Sequence, residues 1–174
     1  DNNDFPLLES EQFSGGVLID FSGWTFDLDA YVKKIDGLTS FTNGFTSASE
    51  DYSRGSSDIL GLDFLLKKQL GNYRIWMGYT YNTVEYQFSE LADSKFPGNN
   101  DITHNLTLSS TYNSENWKFS LGWNFRTGAP FTPIAGFNNT TGDITFGEIN
   151  SLRLPDYHRM DASAQYRFSL SSTN

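Results

Sequence analysis

Cysteine is absent from the 174 residues, so disulfide staples and thiolate metal sites are excluded. Basic residues are few: 12 Lys and Arg stand against 21 Asp and Glu, a net charge of −9. A chain with that balance cannot neutralise a run of phosphates, which excludes nucleic acid as a partner. No stretch of about 18 apolar residues occurs, so there is no candidate spanning helix. The opening decapeptide is acidic and polar and does not read as a secretory leader. Catalytic patterns are missing as well. No nucleophile elbow, Ser-x-x-Lys or His-Glu-x-x-His accompanies the Asp and His residues, so the chain reads as a non-enzyme with no cofactor. A membrane β-barrel survives all of these exclusions, because its strands dilute apolar residues with polar ones.

What the chain has in abundance is aromatic residues, 16% of the total, set in alternating segments of about ten residues. The clearest runs from Trp117 to Arg126. Trp117, Phe119, Leu121, Trp123 and Phe125 fall on one face of a strand, and Lys118, Ser120, Gly122, Asn124 and Arg126 on the other. Strands are read at about 11–21, 24–35, 58–70, 73–88, 104–113, 117–126 and 158–168. Leu18 and Trp76 break the pattern by falling on polar faces.

The connections choose the architecture. Those at Ser22-Gly23, Gly71-Asn72 and Ser114–Asn116 have the chemistry of tight hairpins. Those at 36–57, 89–103 and 127–157 are long and rich in Gly, Asn, Ser, Thr and Pro. Strict alternation of short and long is the layout of an outer-membrane barrel, with periplasmic turns and extracellular loops. Phe21, Trp24, Tyr73, Tyr112, Trp117 and Phe168 cluster near the short turns, as in an aromatic girdle. The expected fold is therefore all-β: an antiparallel meander of about seven strands, a C-terminal fragment of a large transmembrane β-barrel. An odd strand number and two unpaired edges predict further strands outside the sequence, with 169–174 falling where a turn belongs.

Several runs resemble the late barrel strands of TonB-dependent receptors. They are Gly61–Asn72 (GLDFLLKKQLGN) with Trp76–Tyr81 (WMGYTY), and Phe96-Pro97 leading through Asp101 and His104 to Leu108. Arg126–Thr132 (RTGAPFT) is similar to the start of one of the family's loops, and Leu154–Asp161 (LPDYHRMD) to the opening of a later strand. The family often carries basic residues where Ile102 and Thr103 stand here. The resemblance implies a barrel of about 22 strands, a plug that this sequence lacks, and import of a scarce nutrient across the outer membrane. It implies as partners the outer-membrane lipid, the TonB complex acting through the plug, and a surface lipoprotein. The alternative is a soluble or surface structural or adhesive β-sheet protein without transport activity.

Within that frame, Asp27, Arg74, Asn82, Asn105, Lys118, Asn124, Arg126 and Gln165 are expected to face the lumen. Phe131, Phe137, Phe146 and Tyr157 are the candidates for contact with ligand at the mouth, where aromatic rings could stack on sugars or cover a peptide. His104 and His158 stand near Asp101, Asp156 and Asp161, but follow no metal-ligand spacing and read as structural. No metal site is expected.

Overall fold

The computed structural model describes residues 7–41, 52–137, 139–140 and 142–169. The strands are β1 (Glu9–Phe21), β2 (Trp24–Phe41), β3 (Tyr52–Leu70), β4 (Tyr73–Gln87), β5 (Phe96–Pro97), β6 (His104–Asn113), β7 (Trp117–Arg126), β8 (Pro130–Phe131), β9 (Ile134–Phe137), β10 (Ile144–Phe146), β11 (Leu152–Arg153) and β12 (Tyr157–Tyr166). Seven long strands form one antiparallel meander in the order β1-β2-β3-β4-β6-β7-β12, with β5 added to β4. Among the described residues β1 and β12 each pair on one side only.

The tight turns follow from their residues. Ser22 and Gly23 both have positive φ, 47° and 76°, as a type I′ hairpin requires. Gly71 takes φ 53° ahead of Asn72, the glycine-first pattern of type II′. At the third turn the Ser114 hydroxyl accepts the Trp117 N–H at 3.1 Å, and Ser114 N–H donates to the Trp117 carbonyl at 2.7 Å.

The long connections differ from expectation. Strands β2 and β3 run on through 36–41 and 52–57, so much of the expected 36–57 loop is sheet. Its centre, 42–51, lies outside the described residues, as do 170–174. The connection after β4 packs on itself. Val84, Phe88 and Phe96 are the buried apolar residues among those described, and Tyr86 meets both phenylalanines edge-on. The connection between β7 and β12 is not one open loop either. It holds two small antiparallel pairs, β8 with β11 and β9 with β10. Strand β12 ends at Tyr166 rather than at 168.

Because cross-strand partners share a face, the register sorts every side chain. One face carries a predominantly apolar surface, from Phe13, Val17 and Ile19 on β1 to Met160, Ala162 and Ala164 on β12. Among the described residues no second sheet covers it, and Phe13, Leu60, Leu121 and Met160 are all exposed. A sandwich-type partner layer, which the soluble alternative needs, is therefore missing from the described residues. At the short-turn end of this face aromatic rings pair across strands: Tyr73 with Tyr112 at 4.6 Å, and Trp117 with Tyr166 at 4.7 Å. At the other end the apolar surface stops abruptly. The row Phe13, Val32, Leu60 and Thr83 is followed by the row Glu11, Lys34, Asp58 and Glu85. There Lys95 donates to Asp58 at 2.5 Å. That hydrogen bond first, then the charge of Asp58 and, more weakly, of Glu85, raises the Lys95 pKa against the opposing effect of desolvation.

Candidate functional site

All eight candidates for the lumen lie on the opposite, polar face, but the register groups them in a way the sequence did not show. One row crosses six strands: Asp29, Asp63, Thr80, Asn105, Arg126 and Tyr157. It starts acidic, and its one cation, Arg126, stands next to its far end. Thr80 donates its hydroxyl to Asp63 at 2.6 Å, and the Arg126 guanidinium sits 5.2 Å from the centre of the Tyr157 ring. The next row holds Asp27, Thr107, Asn124 and Arg159, with Thr107 donating to the Asn124 side chain at 3.0 Å. A pocket of about 240 Å³ opens between these rows, lined by Asp27, Asp63, Trp76, Thr80, Asn105 and Thr107 among others. Arg74 stands nearer the short turns, opposite Thr111, and Lys118 stands there opposite Asn113 and Gln165.

The polar face also carries aromatic rings. Tyr31 is paired with Gly61, and its ring occupies the space a Cβ on Gly61 would need. A large side chain over a strand glycine holds that part of the sheet together by packing rather than by pattern.

At the long-connection end the structure assembles a cluster that sequence reasoning missed. Asp101 is buried, its side chain 7% exposed. One carboxylate oxygen accepts the Val84 N–H at 3.1 Å and the other pairs with Arg153 Nη2. Arg153 Nη1 donates to the carbonyls of Asp101 at 2.7 Å and Gly128 at 3.1 Å. Beside it, Asn150 in a left-handed conformation (φ 53°) donates Nδ2 to the Pro97 carbonyl at 2.7 Å and to Asn99 Oδ1 at 2.8 Å. Its own N–H donates to the Thr132 hydroxyl at 3.0 Å. Strand β4, the 88–103 connection and the 127–156 connection are thus fastened at one point. The available signal was faint: an Asp and an Arg more than fifty positions apart, in two separate loops.

The four aromatic candidates are distributed over separate elements. Phe131 is half-buried in β8, opposite Leu152. Tyr157 opens β12 beside Arg126. Phe137 and Phe146 lie on the β9–β10 pair, where Ala135 is an extra residue between Gly136, opposite Thr145, and Ile134, opposite Phe146. That bulge brings Ile134 to the face already shared by Phe137, Ile144 and Phe146. All four are at least half exposed. The result is an exposed apolar hairpin face within the 127–156 connection.

Both histidines fall on the apolar face, away from the carboxylates that the sequence suggested. His104 is opposite Tyr81, with its Nδ1 hydrogen-bonded to the Tyr79 hydroxyl at 2.9 Å. His158 is opposite Phe125, 5.0 Å from that ring, and stacks on Trp123. Asp101 and Asp156 are occupied elsewhere, the latter accepting the Gly128 N–H at 3.1 Å. Among the described residues no group of His, Asp and Glu is placed to hold a metal ion.

An antiparallel meander with short turns at one end, long structured connections at the other and an uncovered apolar face has the build of a membrane β-barrel wall. A family model described as TonB dependent receptor-like, beta-barrel matches residues 1–174. The chain belongs to that family, whose members are outer-membrane receptors that serve transport. A search of curated proteins found no match.

Proposed function

We propose that this chain forms part of the barrel wall of a receptor that captures a scarce nutrient outside the cell and admits it through the lumen. The observation that carries the reading is the apolar face. It runs across seven strands with Lys68 as its one Lys, Arg, Asp or Glu among the described residues, and on β1 to β4 it ends at a row of charges, as a surface fitted to hydrocarbon does. In this reading that face contacts outer-membrane lipid, and the polar face, with Asp27, Arg74, Asn82, Asn105, Lys118, Asn124, Arg126 and Gln165, lines the lumen against a plug that answers to the TonB complex. The long connections form the mouth. Phe131, Phe137, Phe146 and Tyr157 contact the ligand or a surface lipoprotein, and the ligand is of the siderophore, vitamin, glycan or peptide kind.

Labelling single cysteines in intact cells tests this orientation, and the chain offers no cysteine of its own to confuse the result. Asp93→Cys and Thr145→Cys in the long connections should react with an impermeant maleimide added outside. Asn72→Cys and Glu115→Cys in the tight turns should react only after the outer membrane is opened. Labelling of the turns from outside would overturn the reading.

A further inference from the structure

Between the short turns and the Phe13–Leu60 row, the apolar face carries a single Lys, Arg, Asp or Glu among the described residues, and that residue is Lys68. It lies opposite Trp24 on one side and Ile75 on the other, within the aromatic band. Its ammonium sits 4.6 Å from the centre of the Trp24 ring and donates to the Ser22 carbonyl at 2.9 Å. An ammonium has three N–H donors, so two remain for another acceptor. A pocket of about 660 Å³ at this end of the sheet is lined by Trp24, Lys68 and Ile75 from the apolar face, by Ser22 of the turn, and by Lys67, Arg74 and Trp76 from the polar face. The one acid in that lining, Asp20, lies on the polar face and accepts the Thr25 hydroxyl at 2.6 Å. On the apolar face itself the site is one ammonium with two donors to spare beside one indole, and among the described residues no carboxylate shares that stretch of the face with it.

We propose that this site holds the phosphate of a membrane glycerophospholipid. Lys68 donates to the phosphate oxygens. Trp24 packs at the level of the glycerol, where indoles settle at a membrane interface. The acyl chains then lie along the apolar strands above. A lysine at that depth costs little in the membrane, because its stem is covered and its charge reaches the headgroups. The inference rests on the reading that the apolar face meets lipid.

The test uses the full-length receptor in nanodiscs of phosphatidylcholine with a minor share of phosphatidylglycerol, with retained lipids counted by native mass spectrometry. Phosphatidylglycerol should be enriched on the receptor. Lys68→Gln should lower that enrichment about fivefold, the weight of one cation near a lipid surface. Lys68→Arg should keep it, and so should Lys95→Gln at the far end of the sheet. Unchanged retention by Lys68→Gln, or an equal loss in Lys95→Gln, overturns the site. Displacement of the lipid by millimolar inorganic phosphate overturns it too, in favour of a free-anion pocket. Should Lys68→Gln fail to assemble, Trp24→Leu takes its place, with lost enrichment expected and full retention overturning the proposal. The face assignment has its own test in Leu121→Arg, so a failure of the lipid site alone is distinguishable.

Discussion

Leu121→Arg should block or severely slow assembly of the receptor in membranes, whereas Ser120→Arg should leave it nearly intact. The two residues are neighbours in the middle of β7 and point to opposite faces. Leu121 lies between Ser110 on β6 and Ala162 on β12, half exposed, with Phe119 and Trp123 on either side along the strand. A guanidinium there, about four residues from either end of the strand and so about 13 Å, cannot easily reach a headgroup. The cost at the bilayer midplane is about 2–4 kcal/mol. Ser120 faces Thr111 and Ser163 on the polar side, and its hydroxyl is 3.4 Å from that of Thr111. Losing one long, part-buried hydroxyl contact matters little, and an arginine there points to the polar side. Heat-modifiable migration of the two variants on gels compares their folded fractions. Equal assembly, or a worse defect in Ser120→Arg, would sink the face assignment.

The second large effect is expected at Arg153. Removing its guanidinium by Arg153→Met leaves the buried Asp101 carboxylate with the Val84 N–H alone, and frees two carbonyls that were paired. Breaking a buried ion pair costs about 3–5 kcal/mol. The Arg153 side chain is 38% exposed, so water can partly replace it, and about 2–3 kcal/mol is the expected loss. The damage should be local. Hydrogen exchange at Val84 should speed up, and proteases should cut within 88–103 and 127–156 while the long strands stay protected. Adding Asp101→Leu to Arg153→Met should recover part of the loss, since the uncompensated charge is then gone. If Arg153→Met leaves Val84 exchange and loop cleavage unchanged, the fastening role is wrong.

The meander was legible because solvent and hydrocarbon impose opposite demands on successive residues, and β7 obeys them without exception. Legibility faded where the apolar face ends. Beyond Val32 and Leu60, residues such as Lys34, Asp36, Ser56 and Ser53 carry the sheet onward with no apolar side to announce it, and Gly37, at φ 81°, marks an interruption of the register between Asp36 and Leu38. The polar candidates follow directly from strand parity, which is local information. The Asp101–Arg153–Asn150 cluster does not. It depends on two loops meeting in space, and no period in the sequence records that. The apolar hairpin face was hidden for another reason: without the bulge at Ala135, Ile134 would count on the wrong side.

The small pairs inside the β7–β12 connection also bear on how the last strand finds its place. Joining β12 to β7 means closing the longest gap in the meander, and closure entropy rises with the logarithm of the loop closed. The β9–β10 pair can close first over a few residues, then β8 with β11 around it, and only a short step remains to bring Tyr157 beside Arg126. Each halving of the remaining loop lowers the closing cost by about 0.6 kcal/mol. Nested pairing turns one improbable encounter into a sequence of near ones, and lets the final strand arrive already in register.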